Sequence, residues 1–559
     1  MSKERLSVHL MLWKGVTKKS APSFERRGRI HNLVLRNNKL CMSKITSKAP
    51  FKEYNQQQIQ LLPPSLEELV PEHHLVRVVN QVVERLDISS IINQYEGGGA
   101  SAYHPRMLIK VLLYGYAMKI YTGRKIAKAL AQDVTFMWLA AYSRPDFRTI
   151  NLFRSGILKD TIEDLFKELL LFLLDHGYVQ VENYFTDGTT FSADANRHQV
   201  VWKKNSERYK AIAEVKCQEL FKQIDELNAA EDLKYGDGDL AEVGGKPVSK
   251  EAVATGVEKL NKVIENTSET RQKRKAEALK KKIIEQQEKI DKYQEQLEIG
   301  HQRSGYSKTD TDASVMMMKN EELLPAYNVL ASSENQFVTA ITTHQNPNDA
   351  TCFKEHLESF LFTPKSITAD SIFGTEQNYQ LLEGSEIESY LKYPTFHSEG
   401  SKKFKEDIFR KENFLYDPVT DTYTCPNSKL LSYTHKREEK HKKTGFKYQT
   451  KIYQAEGCNE CQMREMCTKS KEYNRTIVVN EQLDIYKGIA RQNLHSEKGL
   501  GLRRRRGQEI ESCFGDFKHN MGFRRSHLRG LKKVKTEVTV VAMAHNLRKI
   551  HLLQAKQAA

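Results

Sequence analysis

Residues 181–196 constrain this chain more than any other stretch. They open as β-branched and aromatic sequence, Val181-Glu182-Asn183-Tyr184-Phe185-Thr186, reach the carboxylate of Asp187 and turn polar after Gly188. A short apolar run closed by a turn signal reads as a buried strand. Asp187 is therefore expected at the strand's C-terminal edge, where open α/β sheets place their ligands. Residues 365–374 repeat the pattern. Ser366-Ile367-Thr368-Ala369 ends in Asp370, and helical sequence from Glu376 to Leu382 follows. Either aspartate alone suits a helix cap or a turn. Two at strand ends can supply the oxygen ligands that a hard divalent cation takes.

The formal charge of +16 over 559 residues points to an anionic partner, nucleic acid rather than membrane. No run of 18 apolar residues occurs, so no spanning helix is expected, and no signal peptide opens the chain. Eight cysteines without a secretion signal read as reduced thiols of a cytoplasmic protein. Residues 1–55 are basic without sustained periodicity and read as a disordered extension. Residues 56–175 read as a helical region, entered through a Ser65/Glu68 capping box and broken at Gly97-Gly98-Gly99. Within it an apolar helix over 107–114 precedes Gly123 and a basic-and-apolar helix from Arg124 and Lys125, with Arg148 on the next one. Such a pair is compatible with helix-turn-helix DNA binding, although most helix pairs only pack.

Residues 176–204 and 305–393 form the sheet-bearing core. Arg197, Trp202 and the neighbouring lysines interleave charge and an indole, which suits phosphate contact with base stacking; the alternative is a Trp packed on the domain edge. The core is divided by a charge-rich helical or coiled insert over 205–304, its halves separated by a glycine loop at 236–245. After it a hairpin is expected at Ser333-Glu334-Asn335. A second insert, 394–500, holds Cys425, Cys458, Cys461 and Cys467. The C-x2-C pair with two further cysteines fits either a structural zinc site or free thiols. Residues 501–559 carry the arginine block 503–506, then Glu509, Glu511 and Lys518 on a helix, then an apolar-striped helix over 538–553 that should pack on the sheet.

Asp187-Gly188-Thr189 with Asn196-Arg197, Asp370 with Gly374 and Asn378-Tyr379, and Glu511 with Phe514-Gly515, Lys518 and Arg529-Gly530 together resemble the three motifs of a DDE transposase of a bacterial insertion sequence. The stretches 61–69, 121–126 and 144–150 resemble its InsH-type N-terminal region, and the likeness runs from about Phe51 to the C-terminus. It implies an α+β multidomain protein: an RNase H-like mixed-sheet core, a helical DNA-binding region before it, and inserted subdomains. It also implies two Mg2+ or Mn2+ ions held by Asp187, Asp370 and Glu511, with Asp187 bridging them. The expected partners are the element's terminal inverted repeats and target DNA, bound by a homodimer at the synapse. Arg506 and Lys518 would bind phosphate on either side of the scissile bond, Arg524 would also contact DNA, and Trp202 would stack a displaced base. One departure leaves an alternative open. The family pattern has Arg four residues before the catalytic Glu, whereas Gly507 stands there and Arg506 lies one further back. Glu509 therefore competes with Glu511, which the spacing to Lys518 favours. A non-catalytic DNA-binding descendant, or a nuclease that cuts without joining, are the rival readings.

Overall fold

The computed structural model describes residues 65–95, 101–235, 243, 247–470 and 472–558. The basic extension over 1–55, the glycine break at 97–99 and most of the glycine loop at 236–245 lie outside them.

Among the described residues the core sheet has eight strands: β1 (Asn183–Ser192), β2 (Val200–Trp202), β3 (Gly305–Ser307), β4 (Ser314–Met317), β5 (Leu323–Glu334), β6 (Phe337–His344), β7 (Ser366–Ala369) and β8 (Glu388–Leu391). β6, β5 and β1 run antiparallel in sequence across the sheet, and β7 and β8 then run parallel to β1. This order, β6-β5-β1-β7-β8, is the mixed sheet that the resemblance implies. β2, β3 and β4 extend it from the opening residues of β5; runs of three or four residues carry too little alternation to stand out in the sequence.

Two local expectations need correction. β1 does not stop at Asp187 but continues through Gly188 to Ser192, paired with β5 along that length. The β5–β6 hairpin turns at Asn335-Gln336, not at Ser333-Glu334-Asn335. Both turn residues have positive φ, 53° and 63°, as a two-residue loop matched to strand twist requires. Glu334 remains in β5, where its carboxylate accepts the backbone N–H groups of Gln180, Val181, Glu182 and Asn183 at 2.8, 2.8, 2.8 and 3.3 Å. One buried side chain thus fixes the chain's entry into β1.

The N-terminal region contains α1 (Leu75–Arg85), α2 (Pro105–Ala117), α3 (Gly123–Gln132), α4 (Phe147–Ser155) and α5 (Ile157–Asp175). The first insert comprises α6 (Lys203–Tyr235), α7 (Lys250–Asn266) and α8 (Thr270–Gly300), which share their own apolar cluster around Phe221, Leu260 and Ile283. α9 (Asp349–Glu358) and α10 (Glu376–Gly384) connect the later core strands. The second insert is a five-stranded antiparallel sheet among the described residues, β9 (Leu415–Asp417), β10 (Thr422–Thr424), β11 (Leu430–Lys440), β12 (Lys447–Ala455) and β13 (Thr476–Val479). It leads into α11 (Glu481–His495), which packs back on β8, and α12 (Glu497–Arg506).

The last helix, α13 (Leu531–Ala558), packs on β6 and on α2 and α5, so it joins the sheet to the N-terminal helices. Its polar residues are matched to that position. Asn546 Oδ1 accepts the N–H of Val338 at 2.8 Å and its Nδ2 donates to the same residue's carbonyl at 3.0 Å, completing the β6 edge. Buried Glu537 accepts the Tyr116 hydroxyl at 2.9 Å and the His527 N–H at 2.8 Å. No described helix is long and apolar enough to cross a membrane.

Candidate active site

The register of β1 with β7 sets the first two carboxylates. Their last parallel pair is Thr186 with Ala369, so Asp187 and Asp370 are the next residues on adjacent strands. Asp370 precedes a 3-10 turn but makes no capping bond with its side chain, so its carboxylate is not used to start that turn. Strand alternation directs the rest. Thr186 faces α9, bonding Ser332 at 2.7 Å, which in turn bonds His356 at 2.8 Å. Asp187 and Thr189 face the opposite way, toward the segment that follows α12.

That segment is unusual. α12 runs directly into a π-helical turn, Gly507–Glu511, then one α turn, Ser512–Gly515, and a second π turn, Asp516–Asn520. Residues four apart align on an α-helix, but a π turn closes i to i+5, so residues five apart align across it. Arg506 and Glu511 are five apart and do meet: Arg506 Nη1 lies 3.1 Å from Glu511 Oε1. The other terminal nitrogen of Arg506 donates to Asp187 Oδ2 at 2.8 Å and lies 3.7 Å from Asp370 Oδ2. One guanidinium, its side chain 10% exposed, therefore ties together carboxylates from three distant segments. The arginine that stands one place too far back in the sequence is restored to the site by the extra residue of the π turn.

Glu509 goes elsewhere. It is buried, accepts the Gln336 N–H at 2.7 Å and pairs with Arg505 at 2.8 Å, anchoring this segment to the β5–β6 turn. The geometry brings Glu511, not Glu509, to Asp187 and Asp370. Burial, with Asp349 and Asp370 adding to it, pushes the Asp187 carboxyl up to about 6 against the pull of Arg506 and the Gly188 N–H.

Family models match two parts of the chain: Transposase domain (DUF772) over residues 64–156 and Transposase DDE domain over residues 424–551. Both matches support a DDE transposase of an insertion sequence. No curated protein and no solved structure matches it.

Around the trio, the chain places Lys518 on the Asp187 face of β1. Its ammonium bonds Thr189 Oγ1 and sits 5.0 Å from the Phe191 ring, and burial pulls its pKa down to about 8. Arg524 is exposed beside it and donates to the Lys518 carbonyl at 3.0 Å. Two further groups escaped the sequence reading. Lys392 follows β8 at the same sheet edge, where burial lowers its pKa and Asp370 opposes that shift; the edge position was its only signal. Asp349, the first residue of α9, lies against Gly188.

The other expected DNA contacts form separate patches. Arg124, Lys125 and Arg148 are exposed, with the two guanidinium groups 4.9 and 5.7 Å from the Phe147 ring. Arg197 is exposed, and Trp202 lines a cavity of about 1000 Å³ with Lys203, Lys204, Arg303 and Lys443. Among the described residues no hydrogen bond or ion pair links these five to the acidic trio.

Cys425, Cys458, Cys461 and Cys467 are unbridged and line one cavity of about 20 Å³ in the second insert. Three of the sulfurs accept hydrogen bonds, from Lys429 N (3.3 Å), Arg475 N (3.4 Å) and Asn427 Nδ2 (3.3 Å). Among the described residues no three acidic, histidine or cysteine side chains stand ready around a metal position; in the trio, the guanidinium holds the space between the carboxylates. The donor chemistry nevertheless fits. Three carboxylates gathered on one cation form the all-oxygen set that Mg2+ or Mn2+ takes.

Proposed function

We propose that this transposase cleaves DNA at the ends of an insertion sequence and joins the freed ends to target DNA, with Asp187, Asp370 and Glu511 holding divalent cations. The observation that carries the reading is the convergence of these three carboxylates on Arg506. Three like charges gathered from separate segments are costly unless a cation occupies them. A pair of bound ions would supply activation of the attacking oxygen and neutralisation of the leaving one. The chain's own groups do the rest. Arg506, which pairs with all three carboxylates, would be free to take a phosphate oxygen next to the scissile bond once cations held those carboxylates. Lys518, on the same face of β1, holds the phosphate from the other side, and Lys392 adds positive charge at the sheet edge. Water attacks the phosphodiester first and releases a 3′-hydroxyl; that hydroxyl then attacks a target phosphodiester and displaces its 3′ oxygen. Arg124, Lys125, Arg148, Arg197, Trp202 and Arg524 serve DNA contact away from the reacting atoms. In the second insert, the four-cysteine cavity would hold one structural zinc, its sulfurs oriented by the N–H donors.

The test is incubation of the full chain with DNA flanking its own coding sequence and Mg2+ or Mn2+. Nicked products with 3′-hydroxyl ends, followed by joined products, are expected. Nicks without joined products would leave a nuclease. Salt-sensitive binding without nicking in either metal would leave only a DNA-binding protein.

A further inference from the structure

His545 stands on α13 with its ring buried. Its Nδ1 lies 2.8 Å from Asp516 Oδ2, and its Nε2 lies 2.9 Å from the Gln336 carbonyl oxygen. A carbonyl oxygen only accepts, and so does an ionised carboxylate. Asp516 is kept ionised: burial alone would raise its pKa, but bonds from His545 and Asn520 and the charge of Arg548 hold it below the ordinary value. Both ring nitrogens therefore carry hydrogen, and the buried ring is an imidazolium. Burial opposes that charge too, yet Cys513 and Asp516 outweigh it and hold the pKa at about 10. The other charged groups nearby are Glu509, beyond Gln336, and Arg548 and Lys549 on α13 itself.

The ring joins two anchors of the segment that carries Glu511. Asp516 opens the second π turn, which closes from the Met521 N–H to the Asp516 carbonyl at 2.7 Å. Gln336 is the β5–β6 turn residue, and three of its polar groups are held from this side. It donates its N–H to Glu509 of the first π turn at 2.7 Å, while its carbonyl accepts from His545 and its side-chain oxygen from Lys549. Glu511 lies in sequence between Glu509 and Asp516, and Lys518 lies just past the second anchor. A π turn is rare against the α alternative, so contacts from outside the segment decide which one forms. Slipping by one residue of helix would rotate the side chains by about 100°, taking Glu511 away from Arg506 and Lys518 away from Thr189.

We infer that His545 is a positioning residue for the proposed cleavage reaction: its bridge from Asp516 to Gln336 holds the π segment in the register that brings Glu511 and Lys518 to the site. This rests on the proposal that Glu511 acts with Asp187 and Asp370.

Three variants of the full chain test it. His545→Gln offers one amide to two acceptors. Asp516→Ala removes one end of the bridge and serves even if His545→Gln folds poorly. Asp516→Asn keeps the bridge, because a neutral ring can donate from Nε2 to Gln336 and accept at Nδ1 from the asparagine amide. Nitrogen-15 NMR of labelled histidine rings at pH 8.5 should show one ring protonated on both nitrogens in the wild type and none in the three variants. With saturating DNA ends and Mg2+, the maximal cleavage rate should fall about 100-fold in His545→Gln and Asp516→Ala, the scale that an ångström of misplacement costs. The half-saturating DNA concentration should stay at the wild-type value, and Asp516→Asn should keep most of the wild-type rate. A wild-type maximal rate in His545→Gln and Asp516→Ala, an Asp516→Asn rate as low as theirs, or no doubly protonated ring in the wild type would overturn the inference and leave the three carboxylates standing. Cleavage retained in Glu511→Gln would overturn the three-carboxylate reading, and this inference with it.

Discussion

Replacing Asp187 with asparagine should stabilise the metal-free protein while destroying cleavage. Burial pushes this carboxyl from an ordinary 3.8 up to about 6, and with its side chain 21% exposed solvent screens little of the effect. A carboxyl whose folded value is raised loses its proton first in the unfolded chain. Folding stability therefore falls as pH rises from about 4 to about 6 and stays low above that. A shift of about two units makes the ionised group cost roughly 3 kcal/mol at pH 7 and roughly 0.5 kcal/mol at pH 4. Asparagine carries no such charge. In EDTA, the urea midpoint of Asp187→Asn should exceed that of the wild type at pH 7, and the gap should nearly close at pH 4. Taking the difference between the two proteins cancels the other titrating groups. Added Mn2+ should stabilise the wild type and leave the variant unchanged, because binding to the folded state alone shifts its stability. A wild type more stable than Asp187→Asn in EDTA at pH 7, or a gap independent of pH, would refute the reasoning.

Glu511→Gln should abolish cleavage, whereas Glu509→Gln should keep it and lower the melting temperature; cleavage and melting assays on the two variants separate the roles. Glu334→Gln replaces an acceptor of four backbone N–H groups with an amide that turns its own donors on some of them. It should cost roughly 3 kcal/mol of stability by denaturant titration, within the range for charged hydrogen bonds left unmade. Lys518→Ala should lower the salt slope of DNA binding by about one unit. With its pKa near 8, Lys518 loses charge above that pH, so wild-type affinity should drop between pH 7 and 9 while the variant's stays flat. Protein purified without chelators should carry about one zinc per chain by mass spectrometry, and Cys461→Ser should lose it.

Much of the core was legible because its elements follow simple periods. The β-branched runs ending at Asp187 and Asp370, with a helical pattern after the second, mark two strands, and the fold sets them side by side in parallel with Thr186 opposite Ala369. Gly188 was misread for a physical reason. A glycine after a strand-like run signals a turn, but inside a strand it also marks close approach by another group, and only the fold brings Asp349 there. The π turn was equally hidden. No composition rule announces an i to i+5 turn, so Arg506 looked displaced by one residue from the position that pairs with Glu511, and Glu509 remained a competitor. The hairpin was placed two residues early because Glu334 resembles turn sequence, although its carboxylate is used to gather the backbone entering β1. The C-x2-C spacing of Cys458 and Cys461 was visible, while the approach of Cys425 depends on the pairing of β10 with β11 and β11 with β12.

Anomalous diffraction from crystals soaked in Mn2+ tests the central claim most directly. Manganese peaks should appear among the carboxylates of Asp187, Asp370 and Glu511, with the Arg506 guanidinium moved away from them. Absence of any peak there, with Arg506 still bridging the three acids at a Mn2+ concentration that supports DNA cleavage, would contradict the account.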